Sequence, residues 1–318
     1  MRRRYLCGAF AGVLAMAAAP ATGLGASAAR PAGPHAQGKI SVMRPLGFKP
    51  VKHMRAARVR RTNDLVYQGG VGGIGVETSP RVYLVLWGSQ WSSDPSGEST
   101  TLQSFFNHVG GSSWVNSVTQ YCQGVAAGTV TCGSSGTHAG NGVTLAGVWS
   151  DNGSAAPSSP TQSQLAGEAV RAAAHFGNTS SAVNDTVQYV IATAHGNNAS
   201  GFGTQYCAWH SSTSSSYGNI AYTNLPYITD AGSSCGANFN GLGPNAGITI
   251  VEGHEMAETI TDQFPNGGWL DRNGQENGDK CAWISSGQGA SANVTMNGAT
   301  FPVQSLWSNA TSTCVLSY

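Results

Sequence analysis

Short apolar runs alternate with amphipathic stretches along the chain, and each pattern predicts a different element. Residues 81–88 and 186–194 are apolar runs rich in β-branched and aromatic side chains, which predicts buried strands. Residues 142–149 form a third strand candidate. Residues 99–109 and the stretch from Thr161 to about residue 175 instead repeat their apolar side chains with the helical period. Strands mixed with helices predict an α+β fold with a mixed sheet.

The stretch from residue 247 to residue 262 predicts a helix with two different faces. One face carries an apolar stripe, whereas His254, Glu258 and Asp262 follow one another at i, i+4 and i+8 on another face. The helix is expected to end soon after Asp262, because Pro265 and two glycines follow. One face is therefore expected to pack against the core, and the other carries candidate catalytic or metal-binding side chains.

The spacing on the second face resembles a zinc-binding helix. His254 and Glu258 are spaced as two metal ligands from successive turns, and Glu255 stands where the general base lies in the motif His-Glu-x-x-His. The difference is that Glu258 replaces the second histidine. These features predict a zincin-like α+β fold with a loop-rich, disulfide-stabilised C-terminal part.

A catalytic zinc site needs a third protein ligand, and the sequence offers several. The candidates are Glu276, Asp279, Asp262 and His210. Asp262 lies two helical turns from His254, roughly 12 Å along a straight helix, which favours an indirect role. We favour Glu276, because a hairpin over residues 269–284 that turns at residues 273–274 would return it to the helix.

Two histidines are candidates for stabilising a developing oxyanion. His195 directly follows a predicted strand, and His210 lies in a long stretch of Ser, Gly, Asn and Thr that predicts polar loops. A structural hydrogen-bonding role is equally open for both. With Glu255 as the general base, the set predicts a zinc-dependent hydrolase, in particular a metallopeptidase that acts on a protein or peptide.

Three other interpretations of these residues stay open. The acidic residues beside His254 could form a solvated helix face with no ion. The closely spaced oxygens between Asp271 and Asp279 could instead bind calcium. A carboxylate pair such as Glu255 and Glu276 could act on a glycosidic bond, or the groove could bind wall polysaccharide without catalysis. The side chains proposed as sugar platforms are Trp269 and Trp283.

Charge divides the chain at about residue 62. The net charge is +1, yet 12 of the 16 Lys and Arg residues lie at or before Arg61, and all 15 acidic residues lie at or after Asp64. The acidic body lacks the basic patch that phosphate binding needs, which argues against a nucleic-acid partner. The basic residues up to Arg61 therefore predict a segment that is separate from the acidic body.

The ends of the chain predict an exported protein with one large domain. Residues 1–28 combine three arginines, an apolar run and a small-x-small cleavage signal, which predicts a secretory signal peptide. No other run approaches the roughly 20 apolar residues that a membrane span needs. Residues 29–64 predict a disordered basic leader, either a linker or a propeptide cleaved near Arg61, and residues 65–318 predict a single secreted domain.

Six cysteines remain after the predicted signal peptide, an even number that predicts disulfides in an exported protein. Six cysteines permit about 15 pairings, so sequence alone does not choose among them. Proximity along the chain favours three pairs, which are Cys122 with Cys132, Cys207 with Cys235, and Cys281 with Cys314.

Several separated motifs resemble the phosphate-induced protein 1 or EXORDIUM family, including its bacterial secreted relatives. They are Val66-Tyr-Gln-Gly-Gly, Val82-Tyr-Leu-Val-Leu-Trp-Gly, Ser113-Trp114 with Thr119-Gln-Tyr121, Tyr206-Cys-Ala-Trp-His210, His254-Glu-Met-Ala-Glu-Thr-Ile-Thr-Asp262 and Gly274-Gln-Glu-Asn-Gly-Asp-Lys-Cys281. The resemblance runs in order from about residue 65 to the C-terminus, with Asn277 at a position that is usually apolar. It implies an extracellular protein linked to growth, which could bind cell-wall polysaccharide without being an enzyme, and it brings no settled activity.

Overall fold

The alternation of apolar runs and amphipathic helices produces one main sheet with helices on both faces. The computed structural model describes residues 37–48 and 63–318. The strands are β1 (Ser41–Met43), β2 (Val66–Tyr67), β3 (Arg81–Trp87), β4 (Cys122–Gln123), β5 (Thr137–His138), β6 (Thr144–Asp151), β7 (Val187–Thr193), β8 (Ala208–Ser215), β9 (Gly218–Leu225), β10 (Trp269–Leu270), β11 (Ala292–Met296), β12 (Ala299–Val303), β13 (Leu306–Ser308) and β14 (Thr313–Val315). The helices are α1 (Glu98–Val109), α2 (Gln162–His175), α3 (Ser181–Asn184) and α4 (Ala246–Thr261).

The main sheet has six strands in the order β1-β8-β9-β7-β3-β6. Strands β6, β3, β7 and β9 run parallel to one another, whereas β8 pairs antiparallel with β9, and β1 pairs antiparallel with β8. The predicted α+β class and mixed sheet are therefore confirmed. The antiparallel side of the sheet ends in the short strand β1.

The central strands are apolar on both faces because helices cover both faces. Leu84 and Val190 pack in the core cluster that also contains the buried side chains of α1 and α4. Val85 and Ile191 point the other way and pack in the cluster that contains the buried side chains of α2. This arrangement places α4 between the sheet and the C-terminal strands, so that α4 contacts α1, β8 and β12.

The stretch after residue 195 differs from its prediction. The polar residues expected to form long loops instead form β8 and β9, two strands of eight residues each. Ser211, Thr213 and Thr223 are buried there. Threonine fits a strand because it is β-branched, and buried hydroxyls escape a search for apolar runs.

The hairpin predicted over residues 269–284 is wrong. Strand β10 pairs with β2, 202 residues earlier at Trp269 and Tyr67, rather than with the residues that follow it. The expected turn is present, since Gly274 N donates to Asp271 O at 3.0 Å, but it leads into a 3-10 turn at Asp279–Cys281. Glu276 nevertheless returns to α4, as described below.

Part of the predicted leader belongs to the sheet. Residues 37–48, called the N-terminal segment from here on, contain β1, whose Ser41 lies opposite His210 of β8. The prediction of a disordered leader from composition does not anticipate this pairing. The predicted signal peptide at residues 1–28 and the basic run ending at Arg61 lie outside the described residues.

All three predicted disulfides are present, joining Cys122 to Cys132, Cys207 to Cys235 and Cys281 to Cys314. Such bonds persist in oxidising compartments and are consistent with an extracellular protein. Within residues 37–48 and 63–318, no helix is both long enough and apolar enough to cross a membrane.

Helix α2 begins at the predicted position, and it begins with a capping box. Thr161 Oγ1 accepts a hydrogen bond from Gln164 N at 3.3 Å, and Gln164 Oε1 accepts one from Thr161 N at 2.9 Å. We expect Thr161→Ala to cost about 1 kcal/mol of unfolding free energy and to lower Tm by about 2–4 °C in thermal melts. The control is Ser159→Ala, an exposed position just before the helix. A loss in Thr161→Ala no larger than in this control would contradict the capping role.

Candidate metal centre

Helix α4 is buried along its whole length. All 16 of its residues are buried, including His254, Glu255 and Glu258. The solvated acidic face considered from sequence is therefore wrong, because the sheet covers one side of α4, and α1 and β12 contact it elsewhere. The polar side chains of the helix must find their partners inside the protein.

Six ionisable side chains from three parts of the chain meet at α4. We call them the His–Glu cluster, and they are His254, Glu255 and Glu258 of α4, His210 of β8, and Glu276 and Asp279 of the loop after β10. All are buried except Asp279, whose side chain is 19% exposed. The cluster therefore has one partly open side, at Asp279.

The spacing of the helix places two cluster members together. His254 Nε2 lies 3.0 Å from Glu258 Oε1, which is the contact expected for side chains at i and i+4. The other ring nitrogen of His254, Nδ1, lies 3.3 Å from Gln304 Oε1. Glu258 Oε1 also accepts a hydrogen bond from Asp279 N at 2.8 Å, so the helix and the loop are joined at this carboxylate.

Strand β8 brings a second imidazole to the same carboxylate. His210 Nε2 lies 3.6 Å from Glu258 Oε2 and 3.1 Å from Glu276 Oε2. Glu258 thus stands between the Nε2 atoms of two histidines. The sequence offered His210 both as a ligand and as a catalytic donor, and its buried position against two carboxylates favours the ligand.

Two overlapping groups have donor atoms close enough to share one ion. His210, Glu255 and Glu258 form one group, and His254, Glu258 and Asp279 form the other, with the donor atoms of each group within 4.8 Å of one another. Glu258 belongs to both groups. Glu276, the third ligand favoured from sequence, instead contacts His210 Nε2 beside the first group.

Several carboxylate oxygens in the cluster are buried without a hydrogen-bond partner among the described residues. Both oxygens of Glu255 are in this state, as are Glu258 Oε2 and Glu276 Oε1. A buried carboxylate without partners is strongly destabilising unless it is neutralised or paired with a cation. These oxygens fit a metal site better than they fit a closed hydrogen-bond network.

The pKa values reflect this crowding of charges. Burial opposes the protonated form of His254, but the neighbouring Glu258 carboxylate raises the pKa of His254 to about 9. Burial raises the pKa of Glu255 to about 8 and that of Asp279 to about 7. Burial alone would also raise the pKa of Glu258, but His254 and His210 together hold it well below its usual value.

Asp262 terminates the helix instead of joining the cluster. Its carboxylate accepts hydrogen bonds from the backbone N–H groups of Asn266 at 2.7 Å, Gly267 at 2.9 Å and Gly268. Gly268 is required here because a Cβ atom would lie 2.1 Å from Thr261 O. Asp262 therefore fixes the turn that leads to β10, which agrees with the indirect role expected from its distance.

His195 is not brought into the cluster. Its side chain is 56% exposed, and its Nδ1 lies 2.5 Å from Asp230 Oδ1. Asp230 also accepts a hydrogen bond from Gly196 N at 2.8 Å. These contacts agree with the structural interpretation of His195 that the sequence left open.

Two alternatives from sequence find less support. Trp269 is fully buried, and its Nε1 donates to Cys122 O at 2.8 Å, so it is not a sugar platform. Asp271 Oδ1 accepts from the backbone N–H groups of Asn273 at 2.7 Å and Gln275 at 3.0 Å, and Asp271 Oδ2 lies 3.5 Å from Lys280 Nζ. This turn is explained by its own hydrogen bonds and needs no calcium ion.

Sequence reasoning missed two groups beside the cluster. Gln304 contacts His254 and also donates from Nε2 to Gly278 O at 2.9 Å, but it lies in no motif. Glu252, two residues before His254, is buried with both carboxylate oxygens lacking a partner among the described residues. The signal in the sequence that could have identified Glu252 is the recurrence of Glu at every third position, 252, 255 and 258, along an otherwise apolar helix.

The chain matches no protein-family model, no curated protein and no solved structure. The resemblance to the EXORDIUM family and the zincin-like character of the fold stay predictions. Function has to be inferred from the geometry of the cluster.

We expect the imidazole of His254 to stay protonated at pH 7.5 in metal-free protein and to titrate near pH 9. Because this pKa lies above the unfolded value, the stabilisation from His254 is complete below about pH 6.5 and disappears as pH rises through 9. Glu258→Gln preserves the shape but removes the charge, so the pKa of His254 should fall. NMR of the ring nitrogens after dialysis against EDTA measures both values, and an unchanged titration in Glu258→Gln would contradict the assignment.

Proposed function

We propose that this chain is a secreted zinc-dependent hydrolase that cleaves peptide bonds. One observation carries the proposal. Two buried imidazole nitrogens, from His210 and His254, approach the two oxygens of one carboxylate, Glu258, beside the unpaired carboxylate of Glu255. Buried imidazoles around a shared carboxylate have the composition of a two-histidine, one-carboxylate zinc site.

The donor set fits zinc better than it fits calcium or magnesium. Imidazole nitrogen and carboxylate oxygen are both zinc ligands, whereas calcium and magnesium take oxygen ligands. His254 Nδ1 can donate its proton to Gln304 Oε1, which leaves the lone pair of Nε2 directed at the site. Glu258 would hold the ion together with His210 or with His254, because each histidine belongs to one of the two groups whose donor atoms lie within 4.8 Å of one another, and Glu276 is a neighbouring oxygen donor beside His210.

Zinc, when bound, would supply a Lewis acid for the scissile carbonyl. Glu255 lies beside the ligands with both oxygens free, so it can accept a proton from the attacking water. The water oxygen joins the carbonyl carbon, the C–N bond breaks, and the proton held by Glu255 passes to the leaving nitrogen. Water is thus divided between the new carboxyl group and the new amine, and no further reactant is needed.

The roles of individual side chains can be separated by measuring metal content and activity together. We expect His254→Ala to lose zinc and hydrolysis, since it removes a ligand. Glu255→Gln should keep about one zinc per chain yet hydrolyse an unstructured protein substrate about 10²–10⁴ times more slowly, because only the base is lost. Elemental analysis and peptide release from exported protein provide the two readouts.

The control for these variants is Glu98→Gln. Glu98 is a buried acid outside the cluster whose Oε1 accepts from Ile228 N at 3.0 Å, and burial raises its pKa to about 8. This variant should retain both zinc and activity. A wild-type protein that takes up no zinc, or a Glu255→Gln protein as active as wild type, would contradict the proposed function.

A further inference from the structure

The N-terminal segment forms the edge strand of the sheet, β1, next to the proposed zinc ligand His210. Ser41 lies opposite His210 in the antiparallel pairing of β1 with β8. The Ser41 hydroxyl also contacts the carboxylate of Glu276, which itself contacts His210 Nε2. The segment therefore covers the cluster on the side of the sheet edge.

Main-chain groups hold most of this segment in place. Gly38 N donates to Ser212 O at 2.6 Å, and Met43 O accepts from Cys207 N at 2.8 Å. Beyond the strand, Leu46 N donates to Ser234 O at 2.8 Å. Any extended peptide can form bonds of this kind, because they involve no side chain of the segment.

Three side chains of the domain donate to carbonyl groups of the same segment. Gln162 Nε2 donates to Gly38 O at 3.3 Å, Ser211 Oγ to Lys39 O at 2.8 Å, and Trp283 Nε1 to Arg44 O at 2.6 Å. The donors come from α2, from β8 and from the loop that follows the cluster. All three contact the peptide backbone, so together they can hold an extended chain of any sequence.

The side chains of the segment contribute less to this contact. Ile40, Leu46 and Phe48 are about 40% exposed, whereas Met43 is fully buried. A cavity of about 560 Å³ adjoins the segment, and its lining includes Asp279, the partly exposed member of the cluster. The cavity offers room for side chains that the segment itself does not supply.

The distribution of charge also favours the binding of a cationic chain beside β8. The segment contributes Lys39 and Arg44, whereas the chain from Asp64 onward carries four basic residues against 15 acidic ones. Without the segment, β8 would be an edge strand with unpaired backbone groups next to the cluster. Such an edge is a binding site for another strand.

We propose that the β8 cleft, which lies between β8 and residues 273–283, binds an extended peptide as an antiparallel strand. The N-terminal segment is the chain's own occupant of this cleft and blocks it until it is displaced. The inference rests on the proposed function, since it identifies an extended peptide as the substrate class and the segment as its competitor.

The test cuts the chain between the segment and the domain. Residues 56–61 are replaced by the recognition sequence of a site-specific protease, and a fluorescent synthetic peptide of residues 36–48 is titrated in EDTA, where no hydrolysis occurs. We expect the cut chain to bind this peptide at least ten times more tightly than the uncut chain, because its own segment can exchange. Fluorescence anisotropy measures both Kd values.

Peptide variants test whether binding follows the observed register. A Cβ atom at Gly38 would lie 2.3 Å from Ser212 Oγ and 2.9 Å from Ser212 O, so a peptide carrying Gly38→Val should bind at least ten times more weakly. The matched control is Ile40→Val, which changes an exposed side chain and should leave Kd unchanged.

A second protein variant opens the cleft without any cut. Gly38→Val in the full-length chain should weaken its own segment and allow the wild-type peptide to bind, while thermal melts verify that the domain stays folded. If neither the cut chain nor this variant binds peptide better than uncut wild type, the inference is overturned.

Zinc content, measured on the same samples, separates this inference from the proposed function. Peptide binding that appears on cutting in a protein that never takes up zinc would support the cleft and contradict the zinc hydrolase. Suppose instead that zinc uptake, hydrolysis and peptide binding are all the same before and after cutting. This result would support the proposed hydrolase and would contradict peptide binding in the β8 cleft.

Discussion

The burial of mutually close charges on α4 is the constraint that the rest of the structure must satisfy. Ionised carboxylates are poorly tolerated in a protein interior unless a positive charge or several donors compensate them. Glu258 meets this condition with contacts to His210, His254 and the Asp279 N–H group. Glu255 has no such contacts, since both its oxygens lack a partner among the described residues, and burial raises its pKa to about 8, so that without a cation it holds a proton at neutral pH. A cation near Glu258 would favour the ionised form of Glu255, which supports the proposal of a metal site.

The surrounding fold holds this cluster from several directions. The backbone approaches it closely at Gly278, where a Cβ atom would lie 2.8 Å from His254 Nδ1 and 3.0 Å from Glu258 Oε1. The disulfide between Cys281 and Cys314 ties the same loop to the last strand. A site with ligands on a helix, a strand and a loop needs such fixed supports, because small displacements alter metal geometry.

Patterns within short stretches of the sequence predicted local structure well, but they did not predict contacts between residues that are far apart in the chain. The pairing of His254 with Glu258 follows from helical spacing alone, and the cap at Thr161 follows from four consecutive residues. The contact of His210 with Glu258 depends on β8, a strand that the sequence did not reveal because several of its buried side chains carry hydroxyl groups. Glu276 returns to the cluster as predicted, yet through a turn and a 3-10 segment rather than through the expected hairpin. Short-range geometry is encoded in residue spacing, whereas strand partners depend on the whole sheet.

The second imidazole changes the chemistry expected of the helix. If only the helix is considered, Glu258 in place of a histidine leaves one nitrogen ligand and adds negative charge. A water bound to the metal would then be less acidic. His210 Nε2 of β8 lies 3.6 Å from Glu258 Oε2, so under the proposed function a second imidazole would be available beside the helix. The same strand presents its edge to the N-terminal segment, with Ser41 opposite His210. Under the proposed function, a peptide on that edge would pass beside the proposed ligand His210, so that occupation of the β8 cleft would control access to the metal.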